Sequence, residues 1–474
     1  STEGGVWQKS NWQNIRNINY FMTHYQSVQA AEADVNIYVA EMRFFRALEY
    51  FNKIQLLGDV PWLEVDLNVD SEELYGPKMK RNQVFQKIIE DLDFAIQWLP
   101  EAGSEEANRL NKDIARHVKA RFCLNEGTHY KYHDELEYAS EAEKWLQMAA
   151  TESDKLITSG RYEIYNTGHP QEDYFNMYRI DDKSDLKEAV LYVDYKTNIR
   201  EHNMAAAGRE AGCGFSKSFV ESFLCSDGLP ISLSNKYLGD ETMRKETANR
   251  DPRLKQLILT NDFPTNVTDD LKDSTFVVNE DEFITQHCFT GYRPIKGFNP
   301  IYSQALYMKS SFDGIAYRYA ETLLINAEAK AELNTITNAD LDRTVNQLRD
   351  RVGMPHLTVN VGFTDPKWPD WGYSLSPVLQ EIRRERCIEL AGEGFRFNDL
   401  KRWKAGKLLN NVLTYVGKRK PDGNLAIVYP NYTNPDLSYQ AGKSRTWEDK
   451  MYLYPIPTGE LQRNPQLLPQ NPGW

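Results

Sequence analysis

Apolar residues recur at helical spacing through the first third of the chain. In RNQVFQKIIEDLDFAIQWLPE they fall on one stripe that ends at Pro100, which predicts an amphipathic helix. The stripe consists of Phe85, Ile88, Ile89, Leu92, Ile96 and Leu99. In the earlier segment DVNIYVAEMRFFRALEYFNKIQLLGD the apolar residues cover more than one face, which predicts a helix packed between two neighbours. Gly58 and Pro61 predict the end of that helix.

The same spacing predicts further helices, again in pairs. NKDIARHVKARFCLNEG is followed by EAEKWLQMAATESDKLITSG, and AYRYAETLLINAEAKAELN is followed by ADLDRTVNQLRDRVGMP. In the second of these pairs Ala320, Ala327 and Ala331 form a small-residue face that a neighbouring helix can approach closely. A last pair begins near Leu379. Eight helices in four hairpins predict a mainly α, tetratricopeptide-like scaffold, although the 34-residue period of such repeats is not kept strictly.

The pattern changes between the second and third hairpins. Turn signals such as NTGHP, CSDGLPISLS and GYRPIKGFNP become frequent, with short strand-like runs in AVLYVDY and STFVV. We therefore expect a large loop-rich insertion with short strands at residues 161–314. Residues 1–160 would carry the first two hairpins. Residues 315–474 would carry the last two hairpins and a C-terminal segment, and would form one structural unit with residues 1–160.

The stretch RERCIELAGEGFRFNDLKRWKAGK, residues 384–407, is dense in arginine and acidic residues. One helical face there collects Leu379, Ile382, Arg386 and Leu390. An unpaired charge among apolar residues is costly, so Glu389 and Glu393 are expected to pair with Arg386. A general acid needs a carboxyl with a raised pKa, whereas arginine neighbours lower that pKa. We interpret the stretch as a buried ion-pair network that holds the last hairpin, and not as a catalytic site.

Composition and motifs exclude several classes of protein. The net charge of −12 argues against a nucleic-acid partner, and no window approaches 18 consecutive apolar residues. His129 and His133 in HYKYH have a spacing able to hold a metal ion, but Tyr130 stands where a zincin needs glutamate. The segment GREAGCGFSKS lacks the order of a P-loop, and there is no G-x-S-x-G motif. We predict no catalytic residue, no metal and no cofactor.

Five ordered motifs carry a resemblance to a known family. They are FFRALEYFNKIQLLGDVPWL, YRYAETLLINAEAKAELN, VNQLRDRVGMP, EIRRERCIELAGEGFRFNDLKRW and YLYPIPTGELQRNPQLLPQNPGW. Their sequences and order resemble the SusD/RagB family, the surface glycan-binding lipoproteins of Gram-negative nutrient-uptake systems. The resemblance covers nearly all of residues 10–474. It implies the same helical scaffold with an insertion between the second and third hairpins.

The resemblance also implies a function. A protein of this kind is not an enzyme; it captures oligosaccharide or polysaccharide at the cell surface for import through a SusC-like TonB-dependent transporter. It implies a place on the extracellular face of the outer membrane, with membrane contact only through a lipid anchor. The signal segment and the lipid-bearing cysteine are absent from this chain, so anchoring is implied by the family alone. Family members place their sugar contacts in loops, which makes residues 161–314 the expected ligand-binding subdomain.

Aromatic loops supply the candidate binding residues. Flat rings cover the C–H face of a sugar, and polar side chains pair with its hydroxyls. The candidates, chosen by composition and location, are Tyr75, Tyr292, Arg293, Phe298, Asn299, Tyr302, Trp368 and Trp371. The alternative for each ring is that it holds its loop onto the scaffold. Two other functions stay open: a peptide-binding or protein-interaction scaffold, and a glycoside hydrolase, which would need two carboxylates flanking a groove.

Overall fold

In the computed structural model the chain forms two compact units. Unit 1 comprises Ser1–Glu152 and Trp447–Trp474, and unit 2 comprises Ser153–Thr446. The structure describes residues 5–104, 108–205, 214–260, 266–267, 273–274, 288, 290–420, 422–427 and 445–474. This division differs from the three sequence-based segments, because most of 161–314 and 315–474 lies together in unit 2. The role of residues 161–314 in ligand binding stays a prediction.

Helices dominate the described residues, which confirms the mainly α prediction. The first are α1 (Gln13–His24), α2 (Glu32–Leu57), α3 (Arg81–Trp98), α4 (Lys112–Tyr132) and α5 (Ala142–Thr158). Short helices follow: α6 (Asp173–Asn176), α7 (Lys217–Ser222), α8 (Met243–Thr247), α9 (Arg253–Leu257) and α10 (Tyr302–Ala305). The last are α11 (Tyr319–Glu332), α12 (Asn338–Asp342), α13 (Val345–Arg351), α14 (Pro377–Glu389), α15 (Phe395–Arg402) and α16 (Thr458–Arg463).

In unit 1 the helix α2 packs against both α1 and α3, as its two apolar faces predict. Phe44 and Ile54 are buried, and Gly58 ends the helix with a positive φ of 75°. Phe45, however, is 43% exposed, so the second apolar face of α2 is not fully covered within this unit. The polar segment that forms α1 was not predicted to be helical.

In unit 2 a predicted single helix is divided in two. Thr344 separates α12 from α13, with φ −129° and ψ −95°, and its hydroxyl donates to the carbonyl of Asp340 at 2.6 Å. Thr337 caps α12 in a capping box with Asp340. The local polar bonds therefore outweigh the continuous helical pattern of the segment.

Short antiparallel strand pairs complete the described elements. They are β1 (Ala189–Val193), β2 (Asn266–Val267), β3 (Asp273–Ser274), β4 (Gly314–Arg318), β5 (Val416–Arg419) and β6 (Leu425–Ile427). Strand β1 lies in the predicted run AVLYVDY and pairs with β4, with Val193 opposite Gly314. Most of the other run, STFVV, lies outside the described residues. Strand β4 leads directly into α11.

The insertion segment has a hydrophobic core within unit 2. Its buried members include Tyr174, Phe223, Leu254, Tyr292, Ile295, Phe298 and Ile388. The loop of residues 291–300 is therefore mostly buried instead of running over the surface. Within the described residues, no helix has the length and apolar character needed to cross a membrane.

Candidate functional site

Three arginines from different elements converge on the buried carboxylate of Glu389, at the end of α14. Arg351 donates to both carboxylate oxygens at 2.7 Å, Arg318 donates to Oε1 at 2.7 Å, and Arg253 donates to Oε2 at 2.9 Å. These guanidinium groups hold the pKa of Glu389 well below its usual range, although burial alone would raise it. The carboxylate is therefore a permanent anion at neutral pH.

The network continues along the same helix to Arg386, but with other partners than those predicted. Arg386 Nε donates to Asp399 at 2.9 Å and lies 3.8 Å from Glu328. The prediction that Glu389 and Glu393 pair with Arg386 is wrong. The sequence spacing places Glu389 and Glu393 within reach of Arg386. In the structure, however, arginines from other elements donate hydrogen bonds to Glu389, and Arg318 donates to Glu393 at 2.7 Å.

Two further carboxylates of this network, Glu393 and Asp399, are also held as anions. Arg318 and Lys296 lower the pKa of Glu393, and Arg386 and Arg402 lower the pKa of Asp399, in both cases against the effect of burial. The interpretation of residues 384–407 as a buried ion-pair network is confirmed. A proton donor for glycoside hydrolysis requires the opposite shift.

Four of the predicted binding residues lie in the interior of unit 2. They are Tyr292, Phe298, Asn299 and Trp371, each no more than 6% exposed. The Tyr292 hydroxyl donates to Glu246 at 2.8 Å, and the Trp371 indole donates to Gln380 at 2.6 Å. The amide oxygen of Asn299 accepts from the backbone of Ile301 at 3.1 Å. These side chains hold loops in place and offer no surface to a ligand in this structure.

Two predicted residues of unit 2 are half-buried. The indole of Trp368 donates to the buried carboxylate of Glu381 at 2.8 Å, so one edge of this ring is fixed. Burial raises the pKa of Glu381, although Arg384 and Trp368 oppose the shift. Arg293 is half-buried, and its carbonyl accepts from the backbone of Leu259 at 2.8 Å.

The remaining two predicted residues are exposed. Tyr75 is 51% exposed at the end of a short 3-10 helix in unit 1. Tyr302 is 56% exposed at the start of α10 in unit 2. Among the eight predicted binding residues, only Tyr302 has an exposed ring and lies in the insertion segment.

Sequence reasoning missed a second exposed ring a few residues after Tyr302 in the chain. Tyr307 is 73% exposed, and its neighbours Leu306 and Met308 are also exposed. We call residues 301–310 the tyrosine loop. In the sequence these residues belong to a short apolar run, ALYM, whose spacing is neither helical nor alternating and therefore does not tell which of its side chains are exposed.

A neighbouring segment, residues 195–204, holds the tyrosine loop by backbone pairing. The amide of His202 donates to Ser310 at 2.9 Å, and the amide of Ser310 donates back at 3.1 Å. The amide of Met308 donates to the Asn203 side chain at 3.0 Å. These bonds fix the backbone beside Tyr307. Beside Tyr302 the amide of Ile301 donates to the Asn299 side chain at 3.1 Å, and both rings stay exposed.

Polar and charged groups also lie on the tyrosine loop and on the neighbouring segment. Lys309 pairs with Glu201 at 3.1 Å, and the guanidinium of Arg200 lies 4.9 Å from the ring centre of Tyr195. Exposed Ile199 and half-exposed Met204 add apolar surface on the neighbouring segment. The arrangement can stack flat rings on an apolar ligand face and donate or accept hydrogen bonds at its edges.

The two histidines of HYKYH contact each other in unit 1. The rings of His129 and His133 stack with centres 4.0 Å apart, and Glu135 lies 2.9 Å from Nδ1 of His133. Among the described residues, no group of three or more His, Cys, Asp or Glu is arranged to hold a metal ion.

Comparisons with known proteins agree on one family. The sequence model of the SusD family matches residues 157–474. SusD-like protein P2 of Formosa agariphila is 25% identical over 456 residues, covering 94% of this chain and 75% of that protein. A SusD-like protein structure from Bacteroides fragilis has a TM-score of 0.73 at 24% identity, covering 99% of this chain and 86% of that one. Another from Bacteroides fragilis, described as a SusD-like carbohydrate binding protein, has a TM-score of 0.70 at 22% identity, covering 97% and 86%.

The matched residues include the last two hairpins and the ion-pair network around Glu389. The similarity of fold extends over nearly the whole chain, including the helices before the matched segment. The family suggested by five sequence motifs is therefore confirmed. The chain belongs to the SusD family.

Proposed function

We propose that this protein binds glycans at the cell surface without chemically altering them, through the rings of the tyrosine loop. The observation that carries the proposal is that Tyr302 and Tyr307 are both more than half exposed on a backbone fixed by hydrogen bonds. A ring held in place before binding loses little conformational freedom when a ligand arrives. A relative described as carbohydrate binding shares the fold.

The physical basis is stacking combined with hydrogen bonding. The two phenol rings would cover C–H faces of sugar units, while Glu201, Lys309 and Arg200 would pair with hydroxyl groups at the edges. A shallow, wet site of this type is expected to bind in the micromolar to millimolar range, roughly −8 to −4 kcal/mol. The buried residues Tyr292, Phe298, Asn299 and Trp371 are not part of this proposal.

The proposal includes a cellular role. The captured oligosaccharide would pass to a SusC-like TonB-dependent transporter of the outer membrane, with the protein held on the extracellular face by a lipid anchor. Membership of the SusD family supports this assignment. Co-purification of the full-length protein with such a transporter from the native membrane would test it, and recovery of the protein without any transporter would contradict it.

A glycan array followed by calorimetry tests the binding proposal. The wild-type chain should bind at least one glycan class, and a Tyr302→Ala/Tyr307→Ala variant should bind it at least tenfold more weakly, about 1.4 kcal/mol. Phe397→Ala is the matched control, because Phe397 is 47% exposed on α15 in the same unit. Its affinity should equal that of the wild type.

Two results would contradict the proposal. Unchanged affinity of the double variant would remove the tyrosine loop from the site and turn attention to Trp368 or Tyr75. Absence of any glycan ligand would favour the protein-interaction alternative, for which the first hairpin offers exposed Tyr38 and Phe45 on α2. A peptide library screened against wild type and Phe45→Ser would then decide.

A further inference from the structure

Lys296 is a buried cation in the loop that precedes the tyrosine loop. Its side chain is only 9% exposed. The ammonium lies 2.6 Å from Glu393 Oε1, and it donates to the Tyr174 hydroxyl and to the carbonyl of Ala391, both at 2.8 Å. The carbonyl of Glu389 lies 3.4 Å away.

The partners of Lys296 adjoin the ion-pair network around Glu389. The carbonyls of Glu389 and Ala391 lie at the C-terminal end of α14, where a cation is favoured by the helix dipole. The ring centres of Tyr174 and Tyr178 lie 4.9 and 4.6 Å from the ammonium. The ion-pair network thus reaches into the loop of residues 291–300 through Lys296.

The residues after Lys296 carry the chain from the core to the tyrosine loop. Gly297 has a φ of +72°, and a Cβ there would lie 2.7 Å from the sulfur of Met204 on the neighbouring segment. Phe298 is buried, and Asn299 then binds the backbone of Ile301. The position at which the loop leaves the core is therefore set within a few residues of Lys296.

We propose that Lys296 is a positioning residue for the ligand site, whose buried ammonium fixes the point at which the tyrosine loop leaves the core. This inference rests on the proposed function, because it concerns how the rings of Tyr302 and Tyr307 are held ready for a glycan. Truncating Lys296 would free the loop at its base, and part of the binding energy would then be spent on ordering the loop.

Proton binding gives this role a signature. Burial lowers the pKa of Lys296 to about 8, and the charge of Arg318 adds to this lowering. The carboxylates of Glu393 and Glu389 act in the opposite direction. The rings of Tyr174 and Tyr178 also face the amine. An amine released to water would keep its proton to about pH 10.5. The lowered pKa means that the anchored loop gains stability relative to a released one as the pH rises from 8 to 10.5. Between pH 7 and 9 the equilibrium constant between the released and the anchored loop shifts toward the anchored loop by up to about tenfold.

The affinity arm of the test uses one buried and one exposed lysine. Lys296→Met should weaken binding of the glycan identified for the wild type at least threefold. Lys187→Met is the control, because Lys187 is 67% exposed and pairs with exposed Glu163 outside the site. Its affinity should not change. Wild-type affinity in Lys296→Met would overturn the inference.

A second arm of the test needs no ligand. With methyl-labelled methionine, the Met204 resonance, assigned through Met204→Leu, should shift in the wild type with a midpoint near pH 8, because Met204 packs beside Gly297. The shift should be lost in Lys296→Met. A Met204 resonance that stays constant between pH 7 and 9.5 would overturn the inference. A normal titration in a protein that binds no glycan would instead refute the proposed function, while the anchoring of the tyrosine loop by Lys296 would still stand.

Discussion

The ion-pair network around Glu389 and the tyrosine loop are both rich in side chains that are able to bind or react. In the network Glu389 is fully buried and receives hydrogen bonds from three arginines. In the tyrosine loop Tyr302 and Tyr307 stand more than half exposed, beside one lysine–glutamate pair at the surface. The network pairs its charged groups with one another in the interior, while the tyrosine loop presents its rings at the surface.

The difference teaches that density of charge is a poor guide to a functional site. A buried anion whose pKa is lowered by arginines can neither donate a proton nor meet a ligand. An exposed ring on a fixed backbone can meet a ligand at little cost. The candidate site differs from the scaffold because its side chains are accessible to a ligand, whereas those of the network are buried and bonded to one another.

Acid should break the network and give the largest effect. The pKa values of Glu389, Glu393 and Asp399 are lowered in the folded state, so their stabilising contribution is present above the ordinary values near 4 and is lost as the pH falls through the lowered ones. Glu381, with its raised pKa, acts in the opposite direction. Urea unfolding from pH 7 to pH 3 should show a steep net fall in the free energy of unfolding. A flat profile would contradict the pairing described for Glu389.

Glu389→Leu should break the network at neutral pH. It leaves the buried guanidinium groups of Arg253, Arg318 and Arg351 without their shared anion, which is expected to cost about 3–5 kcal/mol of unfolding free energy. The matched control is Glu201→Gln beside the tyrosine loop, which should leave the urea midpoint unchanged. Equal effects of the two substitutions would remove the distinction between the regions.

Trp368→Phe should lower the free energy of unfolding by less than Glu389→Leu does. Losing the indole N–H leaves the buried carboxylate of Glu381 with one donor fewer, which is expected to cost about 1–3 kcal/mol. Tyr302→Phe, a change at an exposed ring, should not alter the free energy of unfolding. A destabilised Tyr302→Phe variant would show that this ring has a structural role instead.

Much of the scaffold could be predicted because helical periodicity is a local property. The stripe from Phe85 to Leu99 is buried except for half-buried Ile96, and Leu379 and Ile382 are buried as their spacing predicts. The break at Thr344 was missed, because a side-chain bond to Asp340 there outweighs a continuous apolar pattern. Partner choice within the network was missed for a related reason: Arg253 and Arg318 come from elements more than 70 residues from Glu389 along the chain.

The candidate site could not be predicted from the sequence alone. Tyr292 and Tyr302 lie ten residues apart in one aromatic, turn-rich segment, and composition treats them alike. By itself the sequence determined the helical hairpins, the charged network and the family, since each depends on local spacing or ordered motifs. Tertiary structure alone decided that Tyr292 is buried against Glu246 while Tyr302 and Tyr307 face outward, because exposure depends on contacts with residues distant in the chain.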